Sequence, residues 1–344
     1  MATVYRIKAE KLRGFTARLC EALGTPSEIA DVEAEILVNA DLRGHTSHGV
    51  YQFPNYIKGV EGKSLIPDAV PEVVNDSPSA ALVDARNGWG HYSARRAMEL
   101  AIDKADETGV GAISLASANH IGRLGEYCEQ AADAGFISFV TFGVGGRSAG
   151  VATPFGGAEA VLSSNPIAFG VPAADGRHLI SDFATTMLAN AKINIYRIKG
   201  QELPPGCIVD KDGRPSTDPN DFNAGGKSLV FGGYKGYAFS LLTCLLAGLN
   251  GVFDADRSEM FGSFFLAIKV GAFMPADSYG RNAASFLDFM RDVTPAPGFS
   301  EVLVAGDMER RKTEEQMAEG IELPEEVMNR LQACGEKFGV DEIL

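Results

Sequence analysis

Five histidines occur in the chain, and three of them stand in polar, glycine-bearing segments where chemistry is possible. His45 and His48 lie three apart in Arg43-Gly44-His45-Thr46-Ser47-His48-Gly49, a spacing that on a helix puts both rings on one face. A catalytic zinc takes three protein ligands, and no third His or Cys follows at suitable spacing, so no metal is expected. Taken alone, His48 is equally a histidine that ends a helix and is satisfied by backbone. His120 is more informative. In Ala116-Ser117-Ala118-Asn119-His120-Ile121-Gly122 it follows an expected strand over 111–116, where open α/β sheets place their ligand crevice. Imidazole titrates near neutrality, so a histidine there can exchange a proton with a substrate oxygen.

Glycine-rich turns are the second chemical feature. Gly143-Val144-Gly145-Gly146 follows an expected strand but breaks the G-x-G-x-x-G spacing, which argues against an ordinary dinucleotide fingerprint. Gly226-Lys227-Ser228 imitates the end of a P-loop, yet position 221 is Asp where Gly is required, and that motif is set aside. Pro154-Phe155-Gly156-Gly157 and Gly232-Gly233-Tyr234-Lys235-Gly236 permit close backbone approach to a ligand. The second turn leads into a helix whose N-terminus favours an anion, and Lys235 beside it suits a phosphate. A tight turn with a solvated lysine explains the same residues equally well.

These segments need a scaffold. The 344 residues suggest two domains at ~150 residues each. Hydrophobic residues at 45% and charged residues at 22% describe a globular chain, not a disordered or disulfide-stapled one. The formal charge of −14 gives no attraction to a phosphate backbone, so no nucleic-acid partner is expected. Five scattered cysteines without a C-x-x-C pair fit a reducing compartment. The start has no apolar signal region, and the greasy stretch 237–249 is too short for a membrane span of ~20 residues, so a cytoplasmic protein is expected. Periodicity predicts helices over 9–23 and 26–42, the second opened by a capping box at Thr25-Pro26-Ser27-Glu28. From residue 80 strands and helices alternate: strands near 81–84, 111–116, 136–142 and 179–182, helices near 92–108, 122–134 and 185–196. That alternation predicts a largely parallel sheet. A turn-rich loop over 210–228, an apolar helix over 236–248, and helices near 279–292, 308–319 and 325–338 complete the pattern.

Taken together, the chain resembles the family of NAD(P)-dependent malate/L-lactate/ureidoglycolate dehydrogenases, the sulfolactate dehydrogenase-like type. The likeness runs through Ala40-Asp41-Leu42-Arg43-Gly44 with Ser47-His48-Gly49, Asn119-His120-Ile121-Gly122, Pro154-Phe155-Gly156-Gly157 and Ser164-Asn165-Pro166-Ile167-Ala168. It continues through Ser181-Asp182-Phe183-Ala184-Thr185, Leu203-Pro204-Pro205-Gly206, Gly233-Tyr234-Lys235-Gly236 and Ala305-Gly306-Asp307. The resemblance implies an α/β fold with a non-Rossmann nicotinamide-binding domain over 76–299, and a helical unit of 1–75 packed with the C-terminal helices of 300–344. It implies a homodimer, NAD or NADP as cofactor, no metal, and hydride transfer between nicotinamide and a small 2-oxo or 2-hydroxy acid. His48 and His120 match the two active-site histidines, one exchanging the proton and the other orienting the oxygen, with Ser47 as the neighbouring hydroxyl. His120, Ile180, Ser181, Asp182, Tyr234, Lys235, Gly306 and Asp307 match cofactor-contacting positions. Asn119 is expected beside the substrate.

Two departures stand out. Many members carry Arg four residues after the first histidine, where it grips the substrate carboxylate, but this chain has Gln52. The usual Thr-Asn near 141 is here Thr141-Phe142-Gly143. A neutral amide cannot replace a bidentate guanidinium, which leaves Arg123, three after His120, as the expected carboxylate anchor. A cyclic imine 2-carboxylate reductase is the alternative within the family. A non-catalytic ligand-binding relative is the alternative outside it, and its mark would be loss of the histidines, both of which are present.

Overall fold

The computed structural model describes residues 4–147, 149–251, 253–254 and 259–340; residues 1–3 and 341–344 of the expected terminal unit lie outside them. Strand β1 (Val4–Ile7) precedes helices α1 (Ala9–Ala22), α2 (Ser27–Leu42) and α3 (Phe53–Glu61). A hairpin of β2 (Glu72–Ser77) and β3 (Ala80–Asp84) opens the alternation of α4 (Gly90–Thr108), β4 (Val110–Ala116), α5 (Gly125–Asp133) and β5 (Phe136–Gly145). Then come β6 (Ile167–Val171), β7 (Leu179–Phe183), α6 (Asn190–Ile198), β8 (Ile208–Val209), β9 (Pro215–Ser216), α7 (Pro219–Asn223) and β10 (Lys227–Ser228). The chain closes with α8 (Tyr234–Ala247), β11 (Phe253–Asp254), β12 (Glu259–Lys269), α9 (Ala276–Arg291), α10 (Asp307–Glu319), β13 (Ile321–Pro324) and α11 (Glu325–Phe338).

The central sheet is mixed, in the order β2-β3-β4-β12-β5-β6-β7, with β11 paired to β12. The expected largely parallel sheet is corrected here: among these neighbours only β3 and β4 are parallel, joined by the crossover helix α4. Strand β12, absent from the sequence reading, lies antiparallel between β4 and β5. Its insertion leaves β4 and β5 running the same way without touching. Ser263 of β12 faces Leu115 on one side and Phe142 on the other, so both strands end at one sheet edge. Two further antiparallel pairings turn β7 the same way as β5, with Phe183 aligned through Ile167 to Thr141. The carboxyl ends of β3, β4, β5 and β7 therefore share that edge.

Two cores hold this frame. Leu12, Phe15 and Leu19 recur at helical spacing on α1 and pack with Leu37, Phe53, Trp89, Leu323 and Leu331, so the N-terminal helices and the C-terminal β13 and α11 share one core. The second core sets Val83, Ile113, Leu115, Val140 and Phe265 of the sheet against Ala94, Ala97, Met98 and Ala101 of α4 and Tyr127 of α5. Small residues let α4 approach closely: a Cβ added at Gly111 would lie 1.9 Å from Ala101 O. The expected capping box is also corrected. Pro26 stands at the N-cap of α2 without a side-chain cap, and Thr25 Oγ1 instead accepts from buried Trp89 Nε1 at 2.9 Å. The expected loop over 210–228 contains β9, α7 and β10, which with β8 just before it make a small sheet in the order β10-β8-β9.

Candidate active site

The segment after α2 delivers the first histidine. The polar segment turns as a short 3-10 helix over Thr46–His48, and His45 turns to Glu309 at 3.4 Å. Gly49 is required beneath it, because a Cβ there would lie 2.2 Å from Asp41 Oδ1. Asp41 is fully buried and accepts from Val50 N at 2.9 Å, and burial pushes its carboxyl up to about 8. Above this support Ser47 Oγ meets His48 Nδ1 at 3.0 Å. Gln52 donates to Ser47 O at 2.6 Å and accepts from Asn55 at 2.8 Å, so its amide braces the turn.

The segment after β4 delivers the second. Asn119 Nδ2 donates to the carbonyls of Ser64, Asn87 and Gly88 at 3.2, 2.8 and 3.0 Å. This ties the Asn119 amide nitrogen to the neighbouring loop. His120 projects onward, its Nδ1 2.9 Å from Tyr56 OH on α3. The rings of His48 and His120 lie 5.6 Å apart and 24° from parallel. Each Nδ1 is engaged, so Nε2 is the atom each ring offers a ligand. Ser47 and His120 are exposed and His48 half-buried, which leaves the pair reachable. Crowding by protein atoms, with His91 and His48 adding to it, holds His120 well below the usual imidazole range. Burial also lowers His48, but the Asp182 charge opposes that shift.

Asp182 reaches this place because β7 ends at the shared sheet edge. Its Oδ2 accepts from Gly125 N at 2.8 Å, at the start of α5. Ile180, Ser181 and Asp182 form one wall of a cleft of about 320 Å³; Leu303 to Gly306, Met308 and Glu309 form the other. Ile180 N donates to Ala305 O at 3.1 Å, and a Cβ at Gly306 (φ 100°) would lie 3.4 Å from Ile180 N. Asp307 behaves differently. Its carboxylate is 3% exposed and takes Arg291 Nε and Nη2 at 2.9 and 2.8 Å and Val304 N at 3.0 Å, which saturates it. Tyr234 and Lys235 are exposed at the start of α8, with Tyr234 edge-on to Phe155. Their turn is tied to the end of β7 through Phe231 N, which donates to Thr185 O at 2.9 Å. Among the described residues Lys235 has no ion-pair partner.

Arg123 departs from its expected role as a carboxylate anchor. It is 4% exposed and bonded to Glu129 at 2.7 Å and Glu126 at 3.3 Å, with Asp182 also nearby, and those acids hold its guanidinium charged and occupied. It is a buried cation just before α5, held by two carboxylates of that helix. The sequence reading also passed over Tyr56, Asp41, Glu33 and His91, which pack around the histidines. A glutamate at position 33 on the apolar stripe of α2, between Ile29 and Leu37, is the signal that was there to be found. Among the described residues no three His, Cys, Asp or Glu side chains converge as metal ligands.

The profile of the malate/L-lactate dehydrogenase family matches residues 7–332. The chain belongs to that family. An L-sulfolactate dehydrogenase of Methanocaldococcus jannaschii is 33% identical over 97% of this chain and 98% of its own. A malate/(S)-sulfolactate dehydrogenase of Methanothermus fervidus is 30% identical over 97% of this chain and 98% of its own. Among solved structures the sulfolactate dehydrogenase from M. jannaschii superposes with a TM-score of 0.90 at 32% identity, covering 98% of each chain. A delta1-piperideine-2-carboxylate reductase from Pseudomonas syringae superposes at 0.83 with 28% identity, over 96% of this chain and 99% of that one. As a malate/L-lactate dehydrogenase family member the protein is an oxidoreductase, with the mixed α/β fold of its structural neighbours.

Proposed function

We propose that this family member is an NAD(P)-dependent oxidoreductase of small 2-oxo and 2-hydroxy acids, acting between His48 and His120. The near-parallel pair of reachable rings, each with Nδ1 engaged, is the observation that carries this reading. The residues fit a nicotinamide dinucleotide without a Rossmann fingerprint. Ile180 to Asp182 and Gly306 line a cleft, and Lys235, without an ion-pair partner among the described residues, stands at a helix N-terminus that suits phosphate. Bound there, the cofactor supplies or accepts a hydride. His48, which keeps a favourable carboxylate in Asp182, exchanges the proton at the substrate oxygen through Nε2. His120 stays neutral, accepts a hydrogen bond from the Tyr56 hydroxyl at Nδ1, and turns Nε2–H toward the same oxygen as an orienting donor.

The substrate follows from what surrounds the rings. Gln52 is neutral and Arg123 is neutralised by its own carboxylates, so the pocket has less positive charge than a plain dicarboxylate needs. That favours keeping the cyclic imine 2-carboxylate reductase as a second reading, since the same Nε2 atoms can protonate an imine nitrogen. The expected division, 1–75 with 300–344 around 76–299, is proposed with the shared terminal core as its support. We also propose a homodimer. A cytoplasmic location is consistent with five unpaired cysteines, and among the described residues no helix is long and apolar enough to cross a membrane. His48→Ala and His120→Ala are each expected to lower turnover about a hundredfold or more with little change in cofactor affinity. A spectrophotometric panel of 2-oxo acids and cyclic imines with NADH and NADPH reads both variants, and wild-type turnover in both would overturn the assignment.

A further inference from the structure

Beneath His120 lies a pair of ionisable side chains that no step above uses. Glu33 of α2 and His91 of α4 are both fully buried, with Glu33 Oε2 2.7 Å from His91 Nδ1. The other glutamate oxygen accepts from Tyr92 N at 2.7 Å, so both oxygens act as acceptors and His91 donates from Nδ1. Among the described residues His91 Nε2 has no hydrogen-bond partner. The His91 ring stands perpendicular to His120, 5.7 Å between centroids, and perpendicular to Tyr56 at 5.8 Å.

Around the carboxylate the other titratable groups are Cys20 from α1, Tyr56 from α3 and Tyr127 from α5, each held protonated by burial with the Glu33 charge adding to it. His48 and His120 face His91 from the two active-site loops. His91 is thus the group that satisfies this carboxylate from the side of the active site. Burying such a pair is costly, and replacing one by apolar groups of similar volume is often neutral or stabilising. Stability is therefore a poor reason for its presence.

The loop that carries His120 supplies a better one. A Cβ at Gly122 (φ 68°) would lie 2.6 Å from His91 Nε2, and one at Gly90 would lie 2.2 Å from His120 O. The imidazole and the start of its helix are thus the floor on which residues 119–122 rest, while Tyr127 OH donates to Ile121 O at 2.5 Å. We propose that Glu33 and His91 are positioning residues for His120: Glu33 fixes the His91 ring, the ring sets the height of the 119–122 loop, and the loop aligns His120 Nδ1 with the Tyr56 hydroxyl. The inference rests on the reading of His120 as a group that meets substrate.

The double variant Glu33→Leu with His91→Phe removes both members of the pair together and leaves Tyr92 N as the donor that loses its acceptor. It is expected to unfold cooperatively within a few degrees of wild type, with kcat lower by about ten- to a hundredfold and KM and cofactor Kd within about threefold. The imidazole ¹⁵N shifts of His120 are expected to move from a single Nε2–H tautomer toward a mixture, a change a merely structural pair would not produce. Wild-type kcat with unmoved His120 shifts in the folded double variant overturns the proposal. So does a fall in kcat that tracks lost thermal stability while the His120 shifts stay put. Should the double variant fail to fold, Glu33→Gln is read by the same shifts under the same criteria. The His120→Ala control separates the two ideas: full turnover there overturns the functional reading, whereas lost turnover there with a silent double variant overturns only this one.

Discussion

Asp41 keeps a proton that an ordinary carboxyl would lose, and its position ties that proton to the histidine turn. Burial raises it from 3.8 to about 8, with one oxygen on Val50 N and the other without a partner against Gly49. The unfolded chain releases this proton near pH 4 and the folded chain near pH 8. Stability therefore falls as pH rises through that window, by about 1.4 kcal/mol for each pH unit. Asp41→Asn cannot ionise, still accepts from Val50 N, and removes the slope. Its stability relative to wild type is expected to improve between pH 5 and pH 8.5, read from denaturant midpoints; parallel curves would show that Asp41 is ionised in the fold. The reactive residues divide by how they are recognised. His48, Ser47 and His120 are legible because each sits in a short polar motif whose neighbours in sequence are its neighbours in space. Tyr56, Glu33 and His91 matter through contacts between α2, α3 and α4, and nothing local marks them except a charge on an apolar stripe. Arg123 shows the converse: three residues from His120 in sequence, its side chain turns to Glu126 and Glu129 on α5, the helix that follows it.

Among the elements, α8 does two things at once. Its first turn begins at Gly233 (φ 61°), and Gly236 must be glycine because a Cβ there would lie 2.1 Å from Phe231 O. This packs the turn tightly enough to leave backbone donors and Lys235 at the helix N-terminus. Lys235→Ala is expected to weaken NAD(P)H binding by about 1.5–3 kcal/mol, the range for a hydrogen bond to a charged group. Unchanged affinity in a fluorescence titration would make Lys235 a solvated surface residue. Helices α1, α2, α4, α10 and α11 are legible within a few residues because each keeps one apolar stripe or clear end signals. Strand β12 is not. Its run Phe261 to Ile268 is almost continuously apolar, covered on both faces, and such a run has no period that separates strand from helix. Missing it turned a mixed sheet into an expected parallel one. The capping box failed because Trp89, 64 residues away, takes the Thr25 hydroxyl, a competition invisible to local pattern.

At the scale of the whole molecule the inner and outer faces of α8 disagree with a solitary chain. Small residues, Gly236, Ser240, Thr243 and Ala247, face inward, and the helix sits so close to the sheet that a Cβ at Gly143 would lie 2.2 Å from Thr243 O. The outer face carries Phe239, Leu241, Leu242, Leu245 and Leu249 at 43%, 39%, 42%, 61% and 58% exposure. A patch of that kind on a chain of charge −14 supports the proposed homodimer, since contiguous apolar surface is what a second copy would cover. A second copy is the partner that the homodimer reading supplies, and the same helix begins at Lys235, so losing the partner should reach the cofactor turn. Wild type is expected to sediment at twice the chain mass. Leu245→Glu, at the most exposed of these positions, puts a charge into the middle of the apolar patch; it should sediment at the chain mass and lose most cofactor affinity while the isolated fold stays cooperative. A wild-type protein that sediments as a single chain at micromolar concentration would sink the dimer and leave the α8 face for a different partner.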